Sequence, residues 1–250
     1  ECATFLNNAC DAWFAWHERW DLDWWPLIWM GSLCATILLL PWTVSLSKRT
    51  SEICLHALNI LWLILAGAPL VWRPLQSRCA NEGVYFALKY IGHATGRFCG
   101  INICLLLLTV GRASAWLEKF GTGFTETISI HRVAGWWCVG HVVLHAACFV
   151  ASYYLDGGWE KLAWKLLPIV HGSKLNEKGM TNFYGAIGVL GSLSLAAFSL
   201  ECVRRRRYGI FYNVHVLSSS VFILCGTMHD FTVLHFTLPA CSYFVDRICS

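Results

Sequence analysis

The sequence predicts an all-α protein, a polytopic membrane helix bundle of about six or seven transmembrane helices. Hydrophobic residues make up 56% of its 250 residues, and charged residues only 14%, whereas an average soluble domain has about 25% charged residues. A soluble fold of this size could not cover its surface with so few charges. Runs of about 20 apolar residues, long enough to cross a bilayer core, also recur along the chain. The net charge of +4 is small, which argues against a nucleic-acid partner.

Seven apolar runs are candidate transmembrane helices. Their bounds are 26–46, 53–72, 84–110, 128–155, 183–203, 209–231 and 233–247. The last run is short for a full crossing. The connector 156–182 contains Trp159, Lys161, Trp164 and Lys165, a pattern that suits an amphipathic helix lying on the membrane surface. Membrane lipid is therefore the first expected partner.

The charges of the connectors predict the orientation. Connectors 47–52, 111–127 and 204–208 together contain eight Lys and Arg residues against three Glu, and the third contains four consecutive arginines. The positive-inside rule places these connectors in the cytosol and 156–182 outside it. We therefore expect a multi-pass protein of the plasma membrane or an endomembrane with a cytosolic C-terminus. Because the chain starts with Glu1 and stops just after an apolar run, we also expect more chain on either side.

Four histidines form two pairs with equal spacing. His131 and His145 lie 14 residues apart on one apolar run, and His215 and His229 lie 14 residues apart on another. Fourteen residues make about four helical turns, so both histidines of a run point the same way, about 21 Å apart. Since both runs cross in the same direction, His131 would face His215 and His145 would face His229. Two stacked bis-imidazole sites across a membrane indicate a dihaem electron carrier.

Other interpretations of the histidines stay open at this point. His141 is a second candidate for the position of His145, but its 10-residue distance from His131 has no counterpart on the other helix. Buried His and Arg side chains also line proton paths in channels and transporters. A haem-binding structural subunit of a larger complex is a third interpretation. Pigmentation of the purified protein separates the haem proteins from a His-lined channel.

Residues 84–250 resemble the ferric reductase and NADPH oxidase superfamily. The shared pattern contains Asn102 and the following leucines up to Arg112, the two histidine pairs with His141, the segment Arg206 to Phe211, and Asp246 with Arg247. The resemblance implies that the four histidines bind two haem b groups. It also implies a cytosolic module after residue 250 that binds FAD and NADPH and supplies the electrons. Residues 1–83, an outer segment with two peripheral helices, do not add to the match.

The same resemblance implies two extracytosolic acceptors, a ferric chelate or dioxygen that becomes superoxide. The 14-residue second pair is similar to ferric reductases, and Phe149 stands where oxidases tend to have a histidine. Lys89, His93 and Arg97 follow one another at four-residue steps and so form one basic stripe on a helix.

The stripe would lie near the depth of His145, where it could contact haem propionates or attract an anionic iron chelate. Arg112 and Arg132 are the corresponding candidates for the propionates of the haem at His131. We expect ferric-chelate reduction rather than superoxide production.

Overall fold

The structure, a computed structural model, describes residues 48–76, 80–110, 124–171 and 174–237. Its long elements are all helices, as predicted. The elements are α1 (Lys48–Gln76), α2 (Ala80–Leu108), α3 (Phe124–Leu166), β1 (Val170–His171), β2 (Lys174–Leu175), α4 (Glu177–Phe198), α5 (Glu201–Arg206), α6 (Tyr208–His229) and α7 (Val233–Thr237). The two short strands form one antiparallel pair, in which Val170 lies opposite Leu175.

Four helices within the described ranges are long and apolar enough to cross a membrane. They are α2, α3, α4 and α6, and they correspond to the predicted runs 84–110, 128–155, 183–203 and 209–231. Run 53–72 lies within α1. Run 26–46 lies outside the described residues, and of run 233–247 only α7 is described. The structure therefore supports a membrane helix bundle.

The predicted bounds of run 183–203 are wrong at both ends. Helix α4 begins at Glu177, because the side chain of Asn176 accepts a hydrogen bond from the backbone N–H of Gly179 and so caps the first turn. The helix ends at Phe198, and the chain turns at Ser199 before the short helix α5. The apolar run continues through this turn, so hydropathy alone could not locate the end of the helix.

The predicted connector 156–182 is largely helical. Helix α3 continues to Leu166 across a kink at Gly157 and Gly158, where Gly158 has φ 66°, a conformation that glycine adopts without steric cost. After the kink, Trp159 is exposed and Leu162 is buried. This segment corresponds to the amphipathic helix expected in the connector.

Two groups of helices build the bundle. Helix α2 packs along α3 and α1, and α4 packs along α6, while α3 and α4 join the groups. Small residues allow the close approach of α4 to α6: a Cβ on Gly191 would lie 3.3 Å from the carbonyl oxygen of Ser218. Ser218 also donates a hydrogen bond to Ser194. Glycine and serine contacts of this kind are typical of membrane helix packing.

The orientation can be tested at Lys174, which lies in β2 between α3 and α4. We expect Lys174→Cys to react with a membrane-impermeant maleimide in intact cells, because the positive-inside rule places this connector outside the cytosol. The parent protein should carry serine at Cys54 and Cys202, which are exposed, and at the six cysteines that lie outside the described residues. Arg206→Cys, in α5, is the matched control and should react only after permeabilisation. The opposite pattern would reverse the topology.

Candidate functional site

The four histidines of the two predicted pairs meet across the space between α3 and α6. The ring centroids of His131 and His215 are 6.3 Å apart, with an angle of 47° between the rings. Those of His145 and His229 are 5.9 Å apart, with an angle of 82°. These are the partners that the equal spacing predicts. The structure thus has a 131/215 pair and a 145/229 pair at two levels of the bundle, about 21 Å apart along the helices.

The 145/229 pair is held by backbone carbonyl groups of the neighbouring helices. His145 Nδ1 lies 2.7 Å from the carbonyl oxygen of Gly92 in α2, and His229 Nδ1 lies 3.0 Å from that of Thr181 in α4. Since a carbonyl oxygen can only accept, each Nδ1 must carry the proton and donate it. The Nε2 of each ring therefore keeps a lone pair, which is the form in which imidazole binds a metal.

The 131/215 pair is held partly by hydroxyl groups. His131 Nδ1 lies 3.2 Å from Thr109 Oγ1 and 3.3 Å from the carbonyl oxygen of Leu106, so it too must donate. His215 Nδ1 lies 3.2 Å from Ser199 Oγ, in the turn that follows α4. Metal-binding histidines commonly donate a hydrogen bond from the ring nitrogen that does not bind the metal, and this bond fixes both the tautomer and the ring orientation.

Glycines provide the room for the 145/229 pair. A Cβ on Gly96 of α2 would lie 2.6 Å from His145 Nδ1, and a Cβ on Gly185 of α4 would lie 2.8 Å from His229 Nδ1. Both distances are well below the 3.5 to 4.0 Å at which non-bonded carbon atoms attract each other. The two imidazoles can therefore reach their positions only because their neighbouring helices carry no side chain there.

The ring separations fit two imidazoles that bind one metal ion from opposite sides. A metal–imidazole bond is about 2 Å long and the ring centroid lies about 1 Å behind its nitrogen, so two such rings are about 6 Å apart. The helices α3 and α6 do not pack closely against each other. In the described part of the chain, no three His, Cys, Asp or Glu side chains are grouped to hold a metal ion. A pair of imidazoles alone suits an ion whose other ligands come from a macrocycle, as in haem.

An apolar layer separates the two pairs. Cys138 lies seven residues from both His131 and His145, and Phe222 lies seven residues from both His215 and His229. Both are buried in one cluster with Cys99, Ile103 and Val142. Seven residues are close to two helical turns, so the cluster lies on the same side of the helices as the pairs and midway between them.

His141 belongs to a different site. Its Nε2 lies 2.9 Å from Asn59 Oδ1 in α1, which also accepts a hydrogen bond from Asn102 of α2. Asn59 Nδ2 donates to the carbonyl oxygen of Leu55, which fixes the orientation of this amide. The ring is fully buried and stacks obliquely on Trp137. His141 therefore joins α1, α2 and α3 and has none of the other four histidines as a ring partner.

The basic stripe of α2 leads towards the 145/229 pair. Lys89 Nζ lies 4.4 Å above the ring of Tyr85, and His93 packs edge-on against Phe149 with ring centroids 5.0 Å apart. Phe149 in turn contacts His145 at 4.9 Å. Arg97 is partly buried and follows Gly96, so the stripe reaches the level of His145.

Two further arginines were predicted to lie near a haem. Arg132 is exposed next to His131. Arg112 lies outside the described residues.

Comparison with known families identifies the chain. The model of the family "Ferric reductase like transmembrane component" matches residues 95–226, which is more than half of the chain. The chain belongs to this ferric reductase-like transmembrane family. The resemblance inferred from the histidine pattern is thereby confirmed. Membership, together with the four apolar helices, identifies an integral membrane protein of an oxidoreductase family.

One curated relative is similar to this ferric reductase-like chain. It is a protein named "Probable ferric reductase transmembrane component" from Eremothecium gossypii, 27% identical over 208 residues. The match covers 79% of the present chain and 26% of the relative. The chain therefore spans about a quarter of the length of this curated relative.

Several residues of the site in this ferric reductase-like protein were not predicted from the sequence. They are Gly92, Gly96, Thr109, Thr181, Gly185 and Ser199. Gly92 and Gly96 are four residues apart on one face of α2, and small residues at this spacing are a known signal for close approach. No sequence signal marks Thr181 or Ser199, because their roles depend on how α4 packs against α6.

Proposed function

We propose that the chain transfers electrons across a membrane by means of two b-type haems, one held by His131 and His215 and one by His145 and His229. The observation that carries the proposal is the pair of facing imidazole sets, 6.3 Å and 5.9 Å apart, in which every Nδ1 is engaged by a neighbouring helix or turn. Membership in the ferric reductase-like family supports it. Haem held in this way supplies reversible one-electron chemistry.

The contribution of the protein is ligation, spacing and exclusion of water. The four neutral imidazoles are suited to a low-dielectric interior, because burying charged ligands there would be costly. Gly96 of α2 and Gly185 of α4 leave the space that the rings of His145 and His229 occupy. The layer of Cys138 and Phe222 keeps polar groups and water from the space between the pairs.

The proposed electron donor is a cytosolic module that binds FAD and NADPH. Support for it comes from membership in the family, whose model matches residues 95–226, and from the arginines of α5, which the charge rule places on the cytosolic side. A flavin can accept two electrons from NADPH and release them singly. The 131/215 pair would then be the entry site and the 145/229 pair the exit site.

The proposed acceptor outside the cytosol is a ferric chelate. Chelates such as ferric citrate complexes are anionic, and a cationic stripe raises their local concentration near the exit. The stripe meets the 145/229 pair through Phe149, which contacts both His93 and His145. Phe149 also leaves no polar side chain at a position where oxidases tend to carry histidine. Dioxygen, reduced to superoxide, is the competing acceptor.

The acceptor can be tested at Arg97. In the full-length protein with NADPH, we expect Arg97→Ala to weaken ferric-citrate reduction several-fold, mainly through a higher KM, because the stripe attracts an anionic substrate. The loss should shrink at high ionic strength. Arg205→Ala removes an exposed positive charge from α5 and is the matched control with an unchanged KM. Haem content must be equal in all three proteins.

Oxygen dependence separates the two acceptors. Direct ferric reduction should continue without oxygen and in the presence of superoxide dismutase. If iron reduction stops under either condition, superoxide is the primary product, and the chain is an oxidase. Lys89, His93 and Arg97 would then be proposed to contact haem propionates instead of the iron chelate.

A further inference from the structure

The two histidine pairs differ in the groups that accept their Nδ1 protons. In the 145/229 pair both acceptors are backbone carbonyl oxygens, of Gly92 and Thr181. In the 131/215 pair, a His215 that binds a metal through Nε2 carries its proton on Nδ1 and donates it to the hydroxyl of Ser199, 3.2 Å away. A substitution can remove a hydroxyl acceptor but not a backbone carbonyl, so among the described residues the Nδ1 acceptors that a substitution can remove directly lie at the 131/215 pair.

Ser199 is held in place by the end of α4. It is the C-cap residue, and its backbone N–H donates to the carbonyl oxygen of Leu195 at 3.0 Å. The side chain is thereby directed from the turn to His215 in α6, 16 residues further along the chain. Among the described residues, Ser199 Oγ is the hydrogen-bond partner that the structure gives His215 Nδ1.

Among the described residues, His131 Nδ1 has a second acceptor and His215 Nδ1 has one partner. His131 Nδ1 lies within reach of both Thr109 Oγ1 and the carbonyl oxygen of Leu106. Thr109 Oγ1 itself lies 2.9 Å from the carbonyl oxygen of Leu105 and donates to it. Loss of the Thr109 hydroxyl would leave the Leu106 carbonyl in place, whereas loss of the Ser199 hydroxyl would leave His215 Nδ1 without its partner. Ser199 is therefore the more sensitive of the two positions.

The acceptor of the Nδ1 proton affects the metal on the other nitrogen. An imidazole that donates a hydrogen bond from Nδ1 becomes a more basic ligand at Nε2. A more basic ligand stabilises the ferric state relative to the ferrous state and lowers the reduction potential. The same hydrogen bond prevents the ring from rotating about its χ2 bond.

We propose that Ser199 is a positioning residue that orients His215 and lowers the reduction potential of the haem at the 131/215 pair. This inference rests on the proposed function, because it requires haem at that pair. The turn between α4 and α5 would thereby set the potential of the haem at the 131/215 pair. At the 145/229 pair the Nδ1 partners are backbone carbonyl groups.

The test is a spectroscopic redox titration of the purified chain, which needs no turnover. In Ser199→Ala we expect both haems to stay bound and one of the two midpoint potentials to become more positive. Loss of an outer-shell partner typically costs about 10- to 100-fold in metal affinity. A tenfold loss that falls on the ferric form alone raises the midpoint potential by about 59 mV for one electron. The electron paramagnetic resonance signal of the same haem should shift, since the orientation of a ligand ring changes.

Two further variants separate this role from general damage to α4. Ser199→Thr keeps a hydroxyl and should restore the wild-type potential. Ser194→Ala removes a hydroxyl from the same helix that bonds Ser218 rather than a histidine, and should leave both potentials unchanged. Unchanged potentials in a two-haem Ser199→Ala protein would overturn the inference, as would equal shifts of both haems. A wild-type protein without haem would instead contradict the proposed function itself.

Discussion

We expect the His145→Leu protein to bind one haem where the wild-type protein binds two. His145 and His229 are each other's ring partners at 5.9 Å, and Leu cannot ligate iron, so the 145/229 pair would lose a ligand. The 131/215 pair lies about 21 Å away along the helices and shares none of these contacts. Haem content per chain and the reduced absorption bands of the purified variant measure the result.

His141→Leu is the control for this experiment. His141 is bonded to Asn59, so its loss should lower stability by leaving a buried amide with one partner fewer, while both haems remain. Two haems in His145→Leu and one in His141→Leu would show that His141, and not His145, is the haem ligand. Two haems in both variants would show that neither histidine is needed for binding.

A single methyl group at Gly96 or Gly185 should also remove the haem of the 145/229 pair, or weaken its binding at least tenfold. In Gly96→Ala the new Cβ would lie 2.6 Å from His145 Nδ1, and in Gly185→Ala 2.8 Å from His229 Nδ1. The imidazole of His145 cannot simply turn aside, because the Gly92 carbonyl holds its Nδ1 at 2.7 Å and Phe149 packs against it. Each ring must therefore leave its ligating position.

Gly140→Ala is the matched control, because a Cβ at Gly140 would have no neighbour within 4 Å. It should keep both haems and at least the wild-type thermal stability, since alanine favours a helix over glycine. The measurement is haem retained after detergent exchange, read for each haem separately by redox titration. Equal retention in Gly96→Ala and Gly140→Ala would show that the contact at His145 does not hold the haem site.

The sequence was sufficient for those parts of the site that repeat along a helix. The 14-residue spacing of both histidine pairs follows from the helical period alone, and it predicted which imidazoles would meet. The basic stripe of Lys89, His93 and Arg97 followed from the same period. The preference for His145 over His141 followed from the unmatched 10-residue spacing of His141, and in the structure the His141 side chain bonds Asn59 in α1.

The parts that depend on contact between distant segments could not be predicted. Nothing in the sequence near Ser199 indicates a partner in α6, because the contact exists only once α4 and α6 have packed. The end of α4 at Phe198 was missed for a related reason: Ser199 and Leu200 are compatible with an apolar helix, and the backbone turn that ends it is a local conformation rather than a change in hydropathy. Gly185 is unremarkable in sequence, and the spacing of Gly92 and Gly96 indicates close helix packing but not a histidine partner; the importance of Gly96 and Gly185 lies in how close the histidines come.

The most direct test of the central claim is the number of haem groups per chain in the purified wild-type protein. The pyridine haemochrome spectrum, measured together with the protein concentration by amino-acid analysis, gives this ratio and identifies the haem type. Two facing histidine pairs predict two haem b per chain, reduced in two one-electron steps with low-spin spectra. A ratio of one or zero after expression with sufficient haem, or high-spin spectra typical of a five-coordinate iron, would contradict the assignment of two bis-histidine sites.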